Sequence, residues 1–324
     1  MIESLPLPID AAWLLAVVQT LLFVFVAPLL SGWIKRIKCH MQNRAAPSVF
    51  QPYRDLAKLL RKHTVLAENA SWLFRFTPYL VFAATILAAA VVPLIALQLP
   101  TAQIADVIVL VGFLALARFF LALAGLDIGT AFGGMGASRE MMIGALAEPV
   151  LMMTAFTVSM SAATTNLSEA MGYTLSSGLV LRPSFLFAAL GLMLVAVAET
   201  GRVPVDNPAT HLELTMVHEA MILEYTGRHL ALIEWASKIK LMVYLVLIAN
   251  LFLPWGIATE LTLAELGKGT VAIAGKLILL GMALVVWETV MAKMRIFRVP
   301  PYLGFAFLLS LLGMLTHVVL ETGG

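Results

Sequence analysis

The sequence is almost without cysteine, because Cys39 is the only one among its 324 residues. A single cysteine excludes an internal disulfide. It also excludes an iron-sulfur cluster held only by cysteines of this chain. Any redox centre that works with this protein is therefore expected on another chain.

Charge is also scarce. Asp, Glu, Lys and Arg make up 12% of the residues, 61% are hydrophobic, and the mean hydropathy is +0.94. A soluble domain has about a quarter charged residues and about half apolar ones. Here the apolar residues form blocks of about 20, enough for a helix to cross a hydrocarbon core of about 30 Å. Alternating segments typical of a barrel are absent. The sequence therefore predicts an all-α integral membrane protein.

Eight apolar blocks predict eight transmembrane helices. No internal repeat and no low-complexity linker divides the chain, so residues 1–324 are expected to form one membrane domain. The predicted spans are 11–33, 74–99, 103–124, 140–164, 183–200, 237–257, 269–292 and 299–320.

Lysine and arginine concentrate in every second connection, which predicts that these connections are cytoplasmic. The opposite connections, such as 100–106 and 258–268, are poor in both residues, so both termini are expected outside. The basic residues of the predicted cytoplasmic side are Lys35, Arg36, Lys38, Arg44, Arg54, Lys58, Arg61, Lys62, Arg75, Arg202, Arg228, Lys238, Lys240, Lys293, Arg295 and Arg298.

The first basic connection contains an amphipathic pattern. In the stretch "VFQPYRDLAKLLRKHTVL", apolar residues recur at helical spacing while Arg54, Lys58, Arg61 and Lys62 are displaced around the helix. This pattern predicts a helix at about 50–62 that lies in the cytoplasmic interface of the membrane. A basic surface helix that only sets the topology is the alternative.

Several ionisable residues lie in or beside the apolar blocks. A charge at the centre of a membrane helix costs about 2.5 to 3.5 kcal/mol on insertion scales, so such residues face a protein interior or a wet cavity. They are Arg118, Asp127, Glu140, Glu148, Glu199, Lys276 and Glu288.

Glu140 and Glu148 are eight residues apart, so they share a broad helix face about 12 Å apart along the axis. That spacing suits a proton relay with intervening water, because a buried carboxyl exchanges protons near neutral pH. In the alternative interpretation, Glu148 or Glu199 forms a structural ion pair with Arg118 or Arg139.

An acidic stretch follows the fifth block. Residues 198–225, "AETGRVPVDNPATHLELTMVHEAMILEY", contain five acids: Glu199, Asp206, Glu213, Glu219 and Glu224. Pro204 and Pro208 prevent one continuous helix, and Thr210 with Glu213 has the spacing of a helix N-terminal capping box. A short helix from about 211 to 224 is therefore predicted.

Two other patterns do not indicate a metal site or a nucleotide-binding loop. His211 and His218 are seven residues apart, but no His-Glu-x-x-His pattern and no nearby cysteine supports a metal site. The glycine-rich stretch "GTAFGGMGASRE", 129–140, lacks the context of a phosphate or dinucleotide loop. We expect a loop with close backbone approach there, with Ser138 or Thr130 as possible helix caps.

Four stretches resemble one known family. It is the large membrane-arm subunit that joins the two arms of respiratory complex I. The resemblance is closer to its counterpart in group 4 membrane-bound nickel-iron hydrogenases of the formate hydrogenlyase and hydrogenase-4 type. The likeness runs over nearly the whole chain. The stretches are "MQNRAAP" (41–47), "ARFFLALAGLDIGTAFGGMGASRE" (117–140), "LAEP" (146–149) and "AETGRVPVDNPATHLELTMVHEAMILEYTG" (198–227).

The resemblance implies an eight-helix module that anchors a hydrophilic arm, with acidic residues forming a wet path between redox chemistry and ion translocation. The acids expected on that path are Glu140, Glu148, Glu199, Asp206, Glu213, Glu219 and Glu224. Their charge partners are expected to be Arg118, Asp127, Arg139 and Arg202. Cytoplasmic segments 34–73 and 201–236 are expected to contact the hydrophilic subunits, through Arg44, Arg54, Lys58 and Arg61 among others.

The resemblance also implies which partners and cofactors are present. The expected partners are hydrophilic hydrogenase large and small subunits, iron-sulfur proteins, antiporter-like membrane subunits and the lipid bilayer of a bacterial or archaeal inner membrane. Nickel-iron and iron-sulfur centres are expected in those partners. No cofactor, metal or nucleic acid is expected on this chain.

At some positions this chain has residues other than those usual in the quinone-reducing relatives. Ala46 stands where complex I has a glycine before the proline, and Ala209 and His211 replace glutamates that are usual there. These differences favour a non-catalytic coupling subunit of a hydrogenase over a quinone-site subunit of NADH:quinone oxidoreductase. A passive structural anchor is the third interpretation.

Overall fold

The computed structural model describes residues 9–176, 182–206 and 216–321, and within them the regular structure is helical. The α-helices of these residues are α1 (Ile9–Met41), α2 (Gln51–Arg61), α3 (Trp72–Val91), α4 (Val107–Asp127), α5 (Ala131–Ala162), α6 (Leu167–Ser176), α7 (Pro183–Glu199), α8 (His218–Ile222), α9 (Gly227–Phe252), α10 (Leu263–Val290) and α11 (Val299–Thr316).

The structure confirms an all-α membrane protein. Each of the eight predicted spans coincides with one helix: α1, α3, α4, α5, α7, α9, α10 and α11. In the described part of the chain, six of them are long and apolar enough to cross a membrane. The six exclude α7, which is apolar but only 17 residues long, and α9. The count of eight therefore stays a prediction.

Two predicted spans extend too far. The second was expected to end at residue 99, but α3 ends at Val91 and the extended Val92 precedes Pro93. The sixth was expected to reach residue 257, but α9 ends at Phe252, two residues before Pro254. Proline disfavours the helical conformation of the residue before it, which accounts for both ends.

Helix α9 lies at the centre of the bundle. Every residue of α9 from Leu241 to Leu251 is buried. It packs against α1, α2, α3, α7 and α10, while α4 and α7 pack against α5. Polar side chains on α4, α5, α7 and α9 therefore meet inside the protein.

The predicted glycine-rich loop at 129–140 is wrong, because α5 already begins at Ala131. Thr130 caps the helix, and its hydroxyl accepts a hydrogen bond from the Gly133 amide at 3.2 Å. A Cβ on Gly133 would lie 2.2 Å from the Gly125 carbonyl oxygen, and one on Gly136 2.9 Å from the Ala220 Cβ. The glycines thus allow the close backbone approach that the sequence indicated, within a helix.

The amphipathic helix is confirmed as α2, whose Pro52 and Leu56 are buried. Its position at the membrane interface stays a prediction. The predicted helix at about 211–224 is shorter in the described residues, where α8 spans only His218–Ile222. Residues 207–215, which include Pro208, Thr210, His211 and Glu213, lie outside the described residues.

Candidate functional site

Arg118 is the centre of a buried group of charges. Its side chain is 4% exposed, and it points from α4 toward α5 and α7. Its Nη2 lies 2.5 Å from Glu199 Oε1, and its Nη1 lies 2.8 Å from Glu148 Oε1. Its Nε lies 3.7 Å from Glu140 Oε1. One guanidinium therefore pairs with three carboxylates.

Gly144 makes room for that guanidinium. A Cβ at Gly144 would lie only 2.3 Å from Arg118 Nη1. Gly144 is one helical turn after Glu140 and one turn before Glu148, so the three residues share one face of α5. The sequence pattern Glu-x3-Gly-x3-Glu thus provides two acids with a gap between them for the arginine.

A second cation completes the group. Lys240 on α9 places its Nζ 2.8 Å from Glu199 Oε2, and the Glu199 side chain is 1% exposed. Tyr244 follows Lys240 by one helical turn, is buried, and lies near the Glu199 carboxylate. We call Arg118, Glu140, Glu148, Glu199 and Lys240 the Arg118 cluster.

The Arg118 cluster contains more acids than bases. Three carboxylates meet one guanidinium and one ammonium, so the fully ionised cluster carries one net negative charge. Excess charge in a low-dielectric interior is expensive, and binding one proton removes it. Glu148 is the most accessible carboxylate, with a side chain 39% exposed, against 15% for Glu140. The surplus negative charge is therefore best tolerated at Glu148, the carboxylate most open to its surroundings.

The ion pairs that the sequence left as an alternative are present in part. Glu148 and Glu199 both pair with Arg118, as the structural interpretation expected. Arg139 instead donates to the Met216 carbonyl oxygen at 3.0 Å. Lys240 was missed because it was assigned to the basic connection that sets topology. Its position four residues before Tyr244, inside the sixth apolar block, was the available signal.

The other predicted path residues that the structure describes are Asp206, Glu219 and Glu224. The Asp206 carboxylate accepts from the amides of Val217 and His218 at 3.3 and 3.4 Å. Glu219 is half-buried on α8 and Glu224 is exposed. The structure does not describe Glu213, and a continuous acidic path stays a prediction.

Arg202, which the resemblance implied as a charge partner of the path acids, belongs to a second set of ion pairs around Glu288. Its Nη1 lies 2.7 Å from Glu288 Oε1, and Lys38 Nζ lies 2.6 Å from Glu288 Oε2. The set joins α1, α10 and the turn after α7. The Met294 amide also donates to the Pro204 carbonyl oxygen at 2.9 Å. These contacts hold the turn 201–206, near the start of the acidic stretch 198–225.

Tyr225, with Asp127 nearby, lies at the other end of the acidic stretch 198–225. Asp127 accepts from the Ser71 amide at 2.9 Å. The Tyr225 ring stacks on Phe74 with a centroid distance of 3.9 Å, and its hydroxyl donates to the Phe74 carbonyl oxygen at 3.0 Å. Burial raises the pKa of the Tyr225 hydroxyl, and the nearby Asp127 carboxylate raises it further. Tyr225 therefore acts as a neutral hydrogen-bond donor.

The predicted partner-binding residues are all exposed. Arg44, Arg54, Lys58 and Arg61 present four positive charges on and before α2. Among residues 9–176, 182–206 and 216–321, no three His, Cys, Asp or Glu side chains are grouped so that they could hold a metal ion.

The fold and the cluster together define a class: an all-α membrane protein with a cluster of charges around the buried Arg118. Residues 13–319 match the family described as NADH dehydrogenase, and the chain belongs to that family. It is 32% identical over 295 residues to formate hydrogenlyase subunit 4 of Escherichia coli (strain K12), covering 90% of this chain and 95% of the relative.

Two further comparisons agree. The chain is 33% identical over 293 residues to hydrogenase-4 component C of the same organism, covering 90% of this chain and 92% of that protein. It also matches a chain in the structure of the membrane-bound sulfane sulfur reductase, an archaeal respiratory membrane complex. There the TM-score is 0.78 at 19% identity, covering 94% of this chain and 99% of the other, which shows a shared fold.

Proposed function

We propose that this chain is the membrane-anchoring and ion-translocation coupling subunit of an energy-converting nickel-iron hydrogenase complex. It links electron transfer in a hydrophilic arm to the movement of protons or sodium ions across a bacterial or archaeal inner membrane. The near full-length similarity to a formate hydrogenlyase subunit and a hydrogenase-4 component supports this assignment.

The single observation that carries the coupling role is the charge imbalance of the Arg118 cluster. A passive anchor would be more stable with equal numbers of acidic and basic side chains, because an excess buried charge destabilises the fold. Here one extra carboxylate is kept next to two cations, with Glu148 partly open to the surroundings. A cluster that holds one exchangeable proton supplies what ion translocation requires.

The turn at 201–206 follows the Arg118 cluster directly along the chain and begins the segment 201–236 that is expected to contact the partners. Glu199 ends α7 inside the Arg118 cluster, and Arg202 follows three residues later in the contact with Glu288. A partner that displaces the turn also displaces Glu199, because the two are joined by a few residues of backbone. Redox events in a bound arm thereby change the electrostatics of the Arg118 cluster.

In this proposal the chain performs no redox step. Nickel-iron and iron-sulfur centres belong to hydrophilic large and small subunits and iron-sulfur proteins, which dock on segments 34–73 and 201–236. Antiporter-like membrane subunits contact the bundle laterally. A quinone-site subunit of an NADH:quinone oxidoreductase is the alternative, which the family match supports.

Purification of a tagged copy of the chain from its own membranes tests the assignment. We expect mild detergent to retain a large subunit that contains nickel, together with iron-sulfur proteins. Co-purification with NADH-oxidising subunits and a quinone in place of nickel would establish the alternative.

Amide substitutions separate coupling from anchoring. Gln keeps the size and hydrogen bonding of Glu but does not titrate. We expect Glu148→Gln and Glu199→Gln to leave the complex assembled while lowering ion uptake by inverted vesicles during turnover. A purely structural role predicts reduced assembly first, since breaking a buried ion pair costs about 3 to 5 kcal/mol.

A further inference from the structure

Lys276 is a buried cation that the Arg118 cluster does not use. It lies in the middle of α10 with 6% of its surface exposed. The structure shows no carboxylate within ion-pair distance of it among residues 9–176, 182–206 and 216–321. An unpaired ammonium inside a membrane protein is expensive, so its presence calls for a function.

Its surroundings are neutral and fixed. Lys276 Nζ donates to Asn250 Oδ1 at 3.2 Å. The Asn250 amide nitrogen donates to the carbonyl oxygens of Pro93 and Leu94 at 2.9 and 3.2 Å, which turns its oxygen toward the lysine. The ammonium also lies 6.0 Å from the centre of the Trp255 ring, and Trp255 is itself exposed.

This environment accommodates both forms of the lysine. An amide oxygen accepts a hydrogen bond from an ammonium or from a neutral amine, whereas a carboxylate would hold the ammonium form. Burial disfavours the charged form of any lysine. The side chain therefore lies in a site that allows it to lose and regain a proton.

The site lies beyond the Arg118 cluster along α9. Asn250 follows Lys240 by ten residues, which is about 15 Å along a helix. It is close to the end of the bundle that carries residues 92–106 and 253–262. The two sites are therefore at different depths on one central helix.

We propose that Lys276, held by Asn250, is a second proton-exchange site on the translocation path, near this end of the bundle. The inference rests on the proposed coupling function and names the proton as the ion. In the releasing step an N–H bond of the ammonium breaks, the electron pair stays on Nζ, and the proton passes to a water molecule. Uptake of a proton from the opposite direction restores the ammonium.

Two substitutions in the intact complex test the proposal. Lys276→Arg keeps a positive charge, a donor and the contact with Trp255, but an arginine does not release its proton in proteins. Asn250→Asp is nearly isosteric and places a carboxylate beside the ammonium. In inverted vesicles followed with a pH-sensitive dye, we expect both to lower proton uptake per turnover about tenfold or more. The amount of intact complex should stay near wild type.

The control is Lys268→Arg, an exposed lysine on the same helix, which should leave uptake unchanged. Wild-type uptake in either Lys276→Arg or Asn250→Asp overturns the proposal. Loss of the complex in both variants makes Lys276 structural and also overturns it. If Glu148→Gln and Glu199→Gln lower uptake while these variants do not, only this inference fails. Unchanged proton uptake in all four variants contradicts the proposed coupling function as well.

Discussion

The pairing of one arginine with three carboxylates depends on a residue that has no side chain. Gly144 leaves the space that the Arg118 guanidinium occupies between Glu140 and Glu148. Carboxylates of Glu148 and Glu199 lie 2.8 and 2.5 Å from the guanidinium, so a displacement of it lengthens at least one of these ion pairs. The position of Gly144 is therefore as important to the site as the charges are.

Gly144→Ala tests this dependence. The added methyl group would lie 2.3 Å from Arg118 Nη1, which forces the guanidinium out of its ion pairs. Overpacking of a filled interior costs about 1 to 3 kcal/mol. We expect a lower thermal transition of the purified complex and reduced coupling.

Gly134→Ala is the matched control, because a methyl group on Gly134 of the same helix meets no atom within 4 Å. The account of the arginine position is contradicted if Gly144→Ala and Gly134→Ala behave alike.

The sequence identified most members of the Arg118 cluster but not their pairing. Charges in apolar blocks stand out by their cost, so Arg118, Glu140, Glu148 and Glu199 were all found as candidates. Which acid meets which base depends on how four helices pack, and a single sequence does not contain that information. Lys240 was missed since a basic residue near the end of a span also has a topological explanation.

Among the elements, α2 is the one whose surface is best suited to a soluble partner. Its buried residues Pro52 and Leu56 face the bundle, while Arg54 and Lys58 are exposed. Complementary charge across an interface speeds association and selects the partner. The helix therefore presents a basic face that a hydrophilic subunit with an acidic surface would contact.

Charge reversal on α2 tests this role. The double substitution Arg54→Glu and Lys58→Glu should release the hydrophilic subunits from washed membranes, because repulsion replaces attraction at the contact. The membrane bundle should stay inserted, since neither side chain is buried. Immunoblots of the membrane and soluble fractions measure the release.

The control is Lys268→Glu, the same charge reversal at an exposed lysine on α10, which should leave the hydrophilic subunits attached. Full retention of the hydrophilic subunits by the α2 variant would contradict the docking role.

Helix positions were predictable and helix ends were less so. Long apolar blocks identified eight helices, because hydrophobic length is a strong signal. The start of α5 was missed, since glycines disfavour helix in isolation. Here close packing against α4 and α8 outweighs that preference. Of the helix predicted at about 211–224, the structure describes only residues 216–224, where α8 spans His218–Ile222.

At the scale of the molecule, the central helix α9 connects the proposed sites. Lys240 contacts Glu199, and Asn250 contacts Lys276 farther along the same helix. The bundle thereby places two ionisable sites in series within an apolar interior. The chain belongs to the NADH dehydrogenase family, and it shares its fold with a chain of a respiratory membrane complex.

In the proposed function, the Arg118 cluster carries the translocated proton. The most direct measurement is the number of protons taken up by inverted vesicles per hydrogen molecule evolved, determined together with the amount of intact complex. Glu148→Gln is compared with Glu265→Gln, which alters a surface acid paired with Lys268. We predict wild-type assembly in both variants and about tenfold fewer protons per hydrogen molecule in Glu148→Gln alone. A wild-type ratio in a fully assembled Glu148→Gln complex would contradict the account.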